Sequence, residues 1–520
     1  MHILIVTLID FNNNKLSKAL QIDGLNSPSK DEFLHIAKQK FNKKFKSIVL
    51  TDNDNIVDRF SLSNLTLYDD KMIKSLCETD TDFKQITLYF SSNEINAKSY
   101  NLVTTTDPTT TTDPTTTLTN RKKQVFFNII AKDSYIPSEA VKQLENLKNQ
   151  FDDLTHLIGM PDLHQGRYPI GSVCISKNTI YPELVGTDIG CGMSLFQLDL
   201  DTSKYSAGKI HKMSDRLYLE SDDPTYTDEI KQNYCKENNL LETHFETLGT
   251  IGGGNHFCEL QEIHEIHDID LFSQYKMEDS KYYLTVHSGS RDLGTEILDK
   301  YVKQTNIEQY ETEHNYAIKW AQINREIIAD RFVAQLTNTE INTETNTETN
   351  TKTNTKTNKK KLFDLFHNYV EKTEYGYIHR KGAAPAYDQP IIIPGSRGAL
   401  TYIVQPINSN INSGFSVAHG AGRKIARGKL VEGMKNKTQS DREHCLQSTK
   451  TEHNISNTVI CEKQDLLYEE APIAYKDIDV VIADLVHFGL VKVIMTLKPV
   501  ITYKCRNKLH NGCYDKCCDK

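Results

Sequence analysis

The sequence predicts an α+β protein with two folded units, a small module followed by a larger domain. Three observations carry this. At 520 residues the chain is too long for one ordinary core. Short apolar strands such as Tyr282 to Val286 are mixed with helical patterns such as Tyr316 to Ala334, without regular βαβ alternation or an internal repeat. A threonine-rich tract separates the two patterned regions and cannot bury a core.

In chain order, residues 1–95 read as a small ubiquitin-like or doublecortin-like module. Its pattern is a strand at Ile3 to Ile9, a turn at Asn12 to Asn14, a helix through Asp31 to Ala37, and strands at Ser47 to Thr51 and Gln85 to Phe90. No cluster in it suggests chemistry. Residues 96–122 form a linker, with Asp107-Pro108 and Asp113-Pro114 repeated within Thr104 to Thr119. The main domain spans 123–505, with a Thr/Asn-rich insertion over 337–361 and a further polar stretch from Lys435 to Ser456. A cysteine-rich tail, 506–520, contains Cys513, Cys517 and Cys518; with Cys505 they do not match a standard zinc spacing.

Composition narrows the function classes. Hydrophobic residues are 38% and charged residues 25%, as in a soluble globular protein. Net charge is −8, so any nucleic-acid binding must come from a local basic patch. No apolar run reaches the length of a membrane span. The apolar start Met1 to Ile9 lacks a positive leader and reads as a strand, not a signal peptide. Eleven cysteines without a framework fit a reducing compartment, the cytoplasm or else the nucleus.

Chemistry is concentrated in a few loops. Val185 to Met193 sets Asp188 and Cys191 three apart among Gly186, Gly190 and Gly192, a composition suited to sharply bent backbone. A carboxylate with a thiolate suits Mn²⁺, Fe²⁺, Co²⁺ or Zn²⁺ better than Mg²⁺ or Ca²⁺. A buried small Cys191 and a turn-forming Asp188 are the plain alternative. Met160-Pro161-Asp162-Leu163-His164-Gln165-Gly166 reads as an irregular loop in which Asp162 caps a turn and His164 is satisfied by backbone, with a functional role for this Asp/His pair as the alternative. Gly252-Gly253-Gly254-Asn255-His256 suits close approach of backbone to a phosphate or ion, with His256 a candidate ligand and Asn255 and Glu259 candidate polar contacts.

Further along, His287 ends a strand before Ser288-Gly289-Ser290-Arg291, and His367-Asn368 adds another imidazole. His379-Arg380-Lys381-Gly382 is a basic cluster suited to phosphate. Pro394-Gly395-Ser396-Arg397-Gly398 is a tight turn carrying an arginine. In Ser416 to Arg427, Gly420 and Gly422 look like the opening of a helix with Arg423 and Arg427 on one face, an anion site with His419 just before it. A histidine so placed serves as a nucleophile toward phosphorus or as a general acid. There is no phosphate-binding P-loop and no Lys-x-Asp-Gly element, so a nucleotidyl transferase here needs a nucleophile other than lysine.

Taken in order over residues 123–505, these motifs, with Tyr475-Lys476-Asp477, resemble the RtcB family of GTP-dependent RNA ligases. That resemblance implies the RtcB-type α+β ligase fold, two Mn²⁺ ions and GTP as cofactors, RNA as substrate, and an activating protein partner in some settings. It implies that Cys191 bridges both ions, that Asp188 and His256 complete one, and that His287 and His367 complete the other. His419 becomes the nucleophile that carries GMP. Asn255, Glu259, Asn368, Ala421, Gly422, Arg423 and Lys504 contact the guanylate, with Pro394, Gly395, Ser396, Arg397 and Thr401 as further cofactor-binding candidates. The 379–398 and 418–424 motifs look closer to the release-factor-H-coupled branch. Arg397 stands where splicing ligases have Met, Thr401 where they have Ser, and Gln165-Gly166-Arg167 replaces Pro-Gly-Lys. Repair of broken tRNA or rRNA is then as open as tRNA splicing. Two other readings use the same residues: a metal-dependent RNA phosphodiesterase or phosphatase, and a non-catalytic RNA-binding protein on the same fold.

Overall fold

The computed structural model describes residues 125–241, 243–302, 306–339, 359–434 and 457–507, together with five strands of the N-terminal region. The chain divides into two compact units, Met1–Asn120 and Arg121–Lys520. In the first, the strands Lys15–Asp23, Ile3–Asp10, Phe83–Ser91, Ser47–Asp52 and Asn55–Ser61 form one sheet in that spatial order, with Ile3–Asp10 and Phe83–Ser91 parallel. The expected turn at 12–14, helix at 31–37, linker at 104–119, polar stretch at 435–456 and cysteines 513, 517 and 518 lie outside the described residues.

The second unit is α+β. Its largest sheet has eight strands. Seven follow in spatial order: Lys359–Phe366, Gly192–Asp201, Lys281–Ser288, Phe257–Ile266, Val491–Cys505, Thr401–Pro406 and Ile391–Pro394. Thr458–Cys461 pairs in parallel with Val491–Cys505. A five-stranded sheet runs Asn368–Thr373, Gly376–Lys381, Ile170–Ser176, Leu154–His164 and Phe126–Ile129. The short strands Ala383–Pro385 and Ser416–Ala418 pair with each other. Of the first four strands of the large sheet, Gly192–Asp201 and Lys281–Ser288 are buried along nearly their whole length, whereas Lys359–Phe366 and Phe257–Ile266 each have one exposed end.

The helix Ile307–Thr337 organises one side of that sheet. Asn306 caps it by accepting from the Gln309 N–H at 3.2 Å, and Asn338 stops it in the left-handed conformation. From Trp320 onward it is buried nearly all round, while its first half keeps an exposed face. Trp320 and Ile327 join one core, while Ile328, Ala329 and Phe332 join another with Phe196, Leu284 and Val286. Its interior polar residues, Asn324 and Arg325, therefore have to find partners inside the protein.

Two expectations are corrected. Met160 to His164 is not an irregular loop but the end of the strand Leu154–His164. Its loop-like composition falls where the ladder to Ile170–Ser176 is interrupted, between Gly159 and His164, so Pro161 has no ladder bond to lose. The sequence also suggests a helix opening at Gly420. The chain there is irregular, and the first helix beyond it is Lys429–Met434. Backbone groups are spent elsewhere: Ala421 N–H on Pro394 O, Lys424 and Ile425 N–H on Ala474 O, and Gly422 O on the Lys476 N–H. At the insertion, Lys359 to Lys361 belong to a strand paired with Gly192–Asp201. No described helix is long and apolar enough to cross a membrane.

Candidate functional site

Sheet register brings the metal-ligand candidates together. Phe366 pairs with Gly192, Met193 with His287, and His287 with Phe257. Cys191, His287, His256 and His367 thus stand at or beside the same end of four adjacent strands. Asp188 joins them through a turn closed by the Cys191 N–H to the Asp188 carbonyl at 3.1 Å, and His367 N–H donates to the Cys191 carbonyl at 2.8 Å. The turn needs Gly186, whose φ is 94° and where any Cβ would collide with the Lys381 ammonium.

The ligand atoms fall into two groups that share one sulfur: Asp188, Cys191 and His256, and Cys191, His287 and His367. Cys191 Sγ lies 3.2 Å from both His256 Nε2 and His287 Nε2, and His287 Nε2 lies 3.3 Å from His367 Nε2. Ligands on one tetrahedral ion at ordinary bond lengths sit about 3.3 Å (N to N) to about 3.6 Å (S to N) apart. Burial pushes His287 and His367 well below the usual imidazole range, so both rings are neutral and offer lone pairs. His256 Nδ1 lies 3.1 Å from the Ile251 carbonyl oxygen, which can only accept, so Nδ1 carries a proton. Its Nε2 meets Asp188 Oδ2 at 2.8 Å and the Cys191 sulfur as well. With Nδ1 so engaged, Nε2 is the ring atom turned to the carboxylate and the sulfur, the position from which a histidine would meet an ion. Burial opposes the charge on Asp188, yet His256, Cys191 and Arg291 leave its carboxyl below the ordinary range, while burial and Asp188 drive the Cys191 thiol up. A cation between them resolves both. The donor set fits a pair of metal ions.

The ligand loops are tied to the long helix. Arg325, fully buried, donates to the carbonyls of Gly190 at 2.9 Å and Ser288 at 2.8 Å, each one residue from a ligand, and pairs with Asp364 at 2.6 Å. Asn324 accepts from Gly249 N–H at 2.6 Å and donates to the Thr250 carbonyl at 3.2 Å.

His419 follows the strand Ser416–Ala418. Its Nδ1 lies 2.7 Å from Asp162 Oδ2, and its backbone N–H donates to the same oxygen at 3.2 Å. Its ring centroid is 4.6 Å from that of His367, so the histidine held by a carboxylate adjoins the ligand cluster. Asp162 is fully buried and its Oδ1 has no hydrogen-bond partner. Gly422, with φ 69°, passes so close to Asp162 that a Cβ would run into its carbonyl oxygen.

The five ligand candidates, Asp188, Cys191, His256, His287 and His367, and His419 line one cavity of about 770 Å³, with Asp162 behind the histidine. So does every other residue singled out above as cofactor-binding: Asn255, Glu259, Asn368, the turn Pro394 to Arg397, Thr401, Ala421, Gly422, Arg423 and Lys504. Several are already engaged. Asn368 donates to Asp188 O at 3.3 Å and accepts from Gly382 N–H at 2.7 Å. Asn255 accepts from Arg427 at 3.2 Å. Arg423 bonds Glu470 at 3.1 Å and the Glu469 carbonyl at 2.8 Å. Lys504, its charge opposed by burial, lies 3.7 Å from Glu470. Burial raises the Glu259 carboxyl to about 7, against hydrogen bonds from Thr502 at 2.5 Å and Gln261 at 2.8 Å.

One proposed phosphate contact fails. His379 is buried, its Nδ1 donating to Cys174 O at 3.2 Å and its Nε2 accepting from Tyr181 N–H at 2.9 Å. Arg380 is fully buried and bound to Glu371, Tyr369 and Ser416. Of this cluster only Lys381 and Gly382 reach the cavity. Conversely, no local signal pairs Asp162 with His419 or marks Thr502 and Glu470 as wall residues, and Tyr475 enters only through the Tyr475-Lys476-Asp477 motif of the resemblance.

Comparison with known proteins identifies the family. The family model described as tRNA-splicing ligase RtcB matches residues 143–233 and 222–505. The RNA-splicing ligase RtcB2 of Escherichia coli is 36% identical over 398 residues, 73% of this chain and 95% of that protein. The RNA-splicing ligase RtcB of Escherichia coli K12 is 29% identical over 424 residues, covering 71% and 95%. The tRNA-splicing ligase RtcB of Archaeoglobus fulgidus is 25% identical over 453 residues, covering 70% and 91%. With its paired ligand groups around one cysteine and its carboxylate-held histidine in the same cavity, the chain belongs to the RtcB family.

Proposed function

We propose that this protein joins RNA 3′-phosphate or 2′,3′-cyclic-phosphate ends to 5′-hydroxyl ends through a guanylated His419, with GTP as co-substrate, in RNA repair or tRNA splicing. RNA ligation is the activity of the family to which it belongs. The observation that carries the histidine mechanism is the Asp162–His419 contact of 2.7 Å beside the ligand cluster. A phosphodiesterase using the same ligands gives His419 no covalent role and at most that of a general acid, which the labelling test below separates from guanylation.

Asp162 fixes the ring so that Nδ1 bears the proton and Nε2 keeps its lone pair toward the cavity. His419 Nε2 then attacks the α-phosphorus of GTP, the Nε2–P bond forms and pyrophosphate leaves. The RNA 3′-phosphate takes the guanylyl group from His419, and the 5′-hydroxyl displaces GMP. Cyclic ends are first opened to the 3′-phosphate. Two Mn²⁺ ions, held by Asp188, Cys191 and His256 and by Cys191, His287 and His367, would neutralise developing phosphate charge. Manganese is the ion of the family resemblance; this donor set by itself also suits zinc, iron and cobalt. Arg167, Lys381, Arg397 and Arg427 line the cavity and supply the local positive charge that the chain as a whole lacks.

The test is to incubate the protein with α-³²P-GTP and Mn²⁺, denature it and recover label that is acid-labile and alkali-stable. Label is expected on the native protein and not on His419→Ala. Unlabelled but folded native protein, or undiminished label on the variant, overturns the mechanism.

A further inference from the structure

We propose that Lys476 is a positioning residue for the His419 nucleophile, acting through Asp162; the inference rests on the guanylation reading above.

Lys476 follows the turn Pro472–Ala474 and precedes the helix Ile478–His487. It is buried, and its Nζ donates to Pro161 O and to Leu163 O, each at 2.8 Å. Those are the carbonyls on either side of Asp162. Lysine is almost never buried without a carboxylate partner. Among the described residues Lys476 forms no ion pair, and its cation rests on two neutral carbonyls. Asp162 has the matching deficit, since one of its two oxygens is buried and unpartnered. A buried carboxylate with half its acceptors empty needs charge nearby to remain ionised.

The main chain of the same residue completes the grip. Lys476 N–H donates to Gly422 O at 2.9 Å, and Gly422 is the residue that presses onto the Asp162 carbonyl. Its neighbour Tyr475 forms a bridge with Arg423. One residue therefore holds the strand that carries Asp162 by its side chain and the segment that carries His419 by its backbone. The titratable groups around Asp162 are His419 ahead of it, His164 two residues on, and Lys476 behind; Asp484 acts on Lys476 from the following helix. If the cation is lost, the Asp162 carboxyl more readily takes a proton from solvent. It then stops accepting from His419 Nδ1–H, and the ring loses the tautomer that exposes the Nε2 lone pair.

The experiment is single-turnover guanylation of the full chain with Mn²⁺ and α-³²P-GTP, across pH, in a double-mutant cycle with Asp162→Asn. Lys476→Met is expected to slow labelling at least tenfold at neutral pH with GTP affinity unchanged. Its acidic limb should move to higher pH, because removing a positive charge raises the carboxyl pKa. In the Asp162→Asn background the same change should cost less than twofold. Lys476→Gln, which keeps a donor but no charge, should shift the limb in the same direction, and it serves if Lys476→Met does not fold. An equal loss in both backgrounds, an unmoved limb, or a loss matched by weakened GTP binding overturns the proposal. Failure of the native protein to label at all overturns the guanylation reading instead, so the two failures are distinguishable.

Discussion

Asp162 and His419 are 257 residues apart in the chain and 2.7 Å apart in the structure, carboxylate oxygen to ring nitrogen. An amide at position 162 keeps the shape but presents a donor or a weaker acceptor to Nδ1, which favours the unproductive tautomer. Asp162→Asn is therefore expected to slow guanylation by on the order of 10⁴-fold, the loss seen when such a carboxylate becomes an amide in a serine-protease triad. Bound metal should be unchanged. Single-turnover labelling and elemental analysis of the same sample check both halves; a variant as fast as the native protein removes Asp162 from the mechanism.

Cys191 lies 3.2 Å from a histidine of each ligand group. If it bridges, its loss should cost both ions, whereas loss of His367, which belongs to one group, should cost one. Elemental analysis after dialysis is expected to give close to no metal for Cys191→Ala and about half the native content for His367→Ala. Equal retention by the two variants would sink the shared-ligand arrangement.

Arg325 predicts a coupling between stability and metal. It is fully buried, paired with Asp364, and spends further donors on the carbonyls of Gly190 and Ser288. Removing it leaves an uncompensated buried carboxylate and frees the two loops. Arg325→Met should lower unfolding stability by about 3–5 kcal/mol. It should also weaken metal binding, although Arg325 touches no ion. Chemical denaturation with and without Mn²⁺ reads both effects, and a destabilised variant with native metal affinity would limit Arg325 to packing.

The legibility of this site follows the physics. Asp188, Cys191, His256 and His287 stand out as candidates because they sit in glycine-rich or strand-end contexts that ordinary packing does not favour, while His367 offers only an imidazole and joins them through the family resemblance; the α+β class could be read from strand and helix patterns. Asp162 could not be paired with His419, because a contact across 257 positions leaves no local trace. The Gly420 segment misled because glycines before basic residues look like a helix start; tertiary hydrogen bonds to Pro394, Ala474 and Lys476 hold it in an irregular, non-helical path instead. His379 and Arg380 misled because strand alternation and partners, not charge, decide which way a basic side chain faces. Each carries its partners inside the five-stranded sheet and its surroundings.

Glu259 gives a prediction in pH. Burial lifts its carboxyl from the usual 4.5 to about 7 in the folded protein, opposed by Thr502, Gln261 and Lys504. The folded state thus binds this proton more tightly than the unfolded state. Its contribution to stability is fully present below pH about 4.5 and is lost as pH rises through about 7. Glu259→Gln should flatten the fall in melting temperature across that window, measured without nucleotide. A guanine base that donates to the carboxylate draws the ionised form, so GTP should bind more tightly as pH rises toward 7 and level off above it. The slope below 7 should approach tenfold per pH unit. In Glu259→Gln, GTP affinity should be weaker and nearly flat with pH. Titration of GTP from pH 5.5 to 8 decides it, since a slope that survives in the variant would belong to another group and would remove Glu259 from the nucleotide contacts.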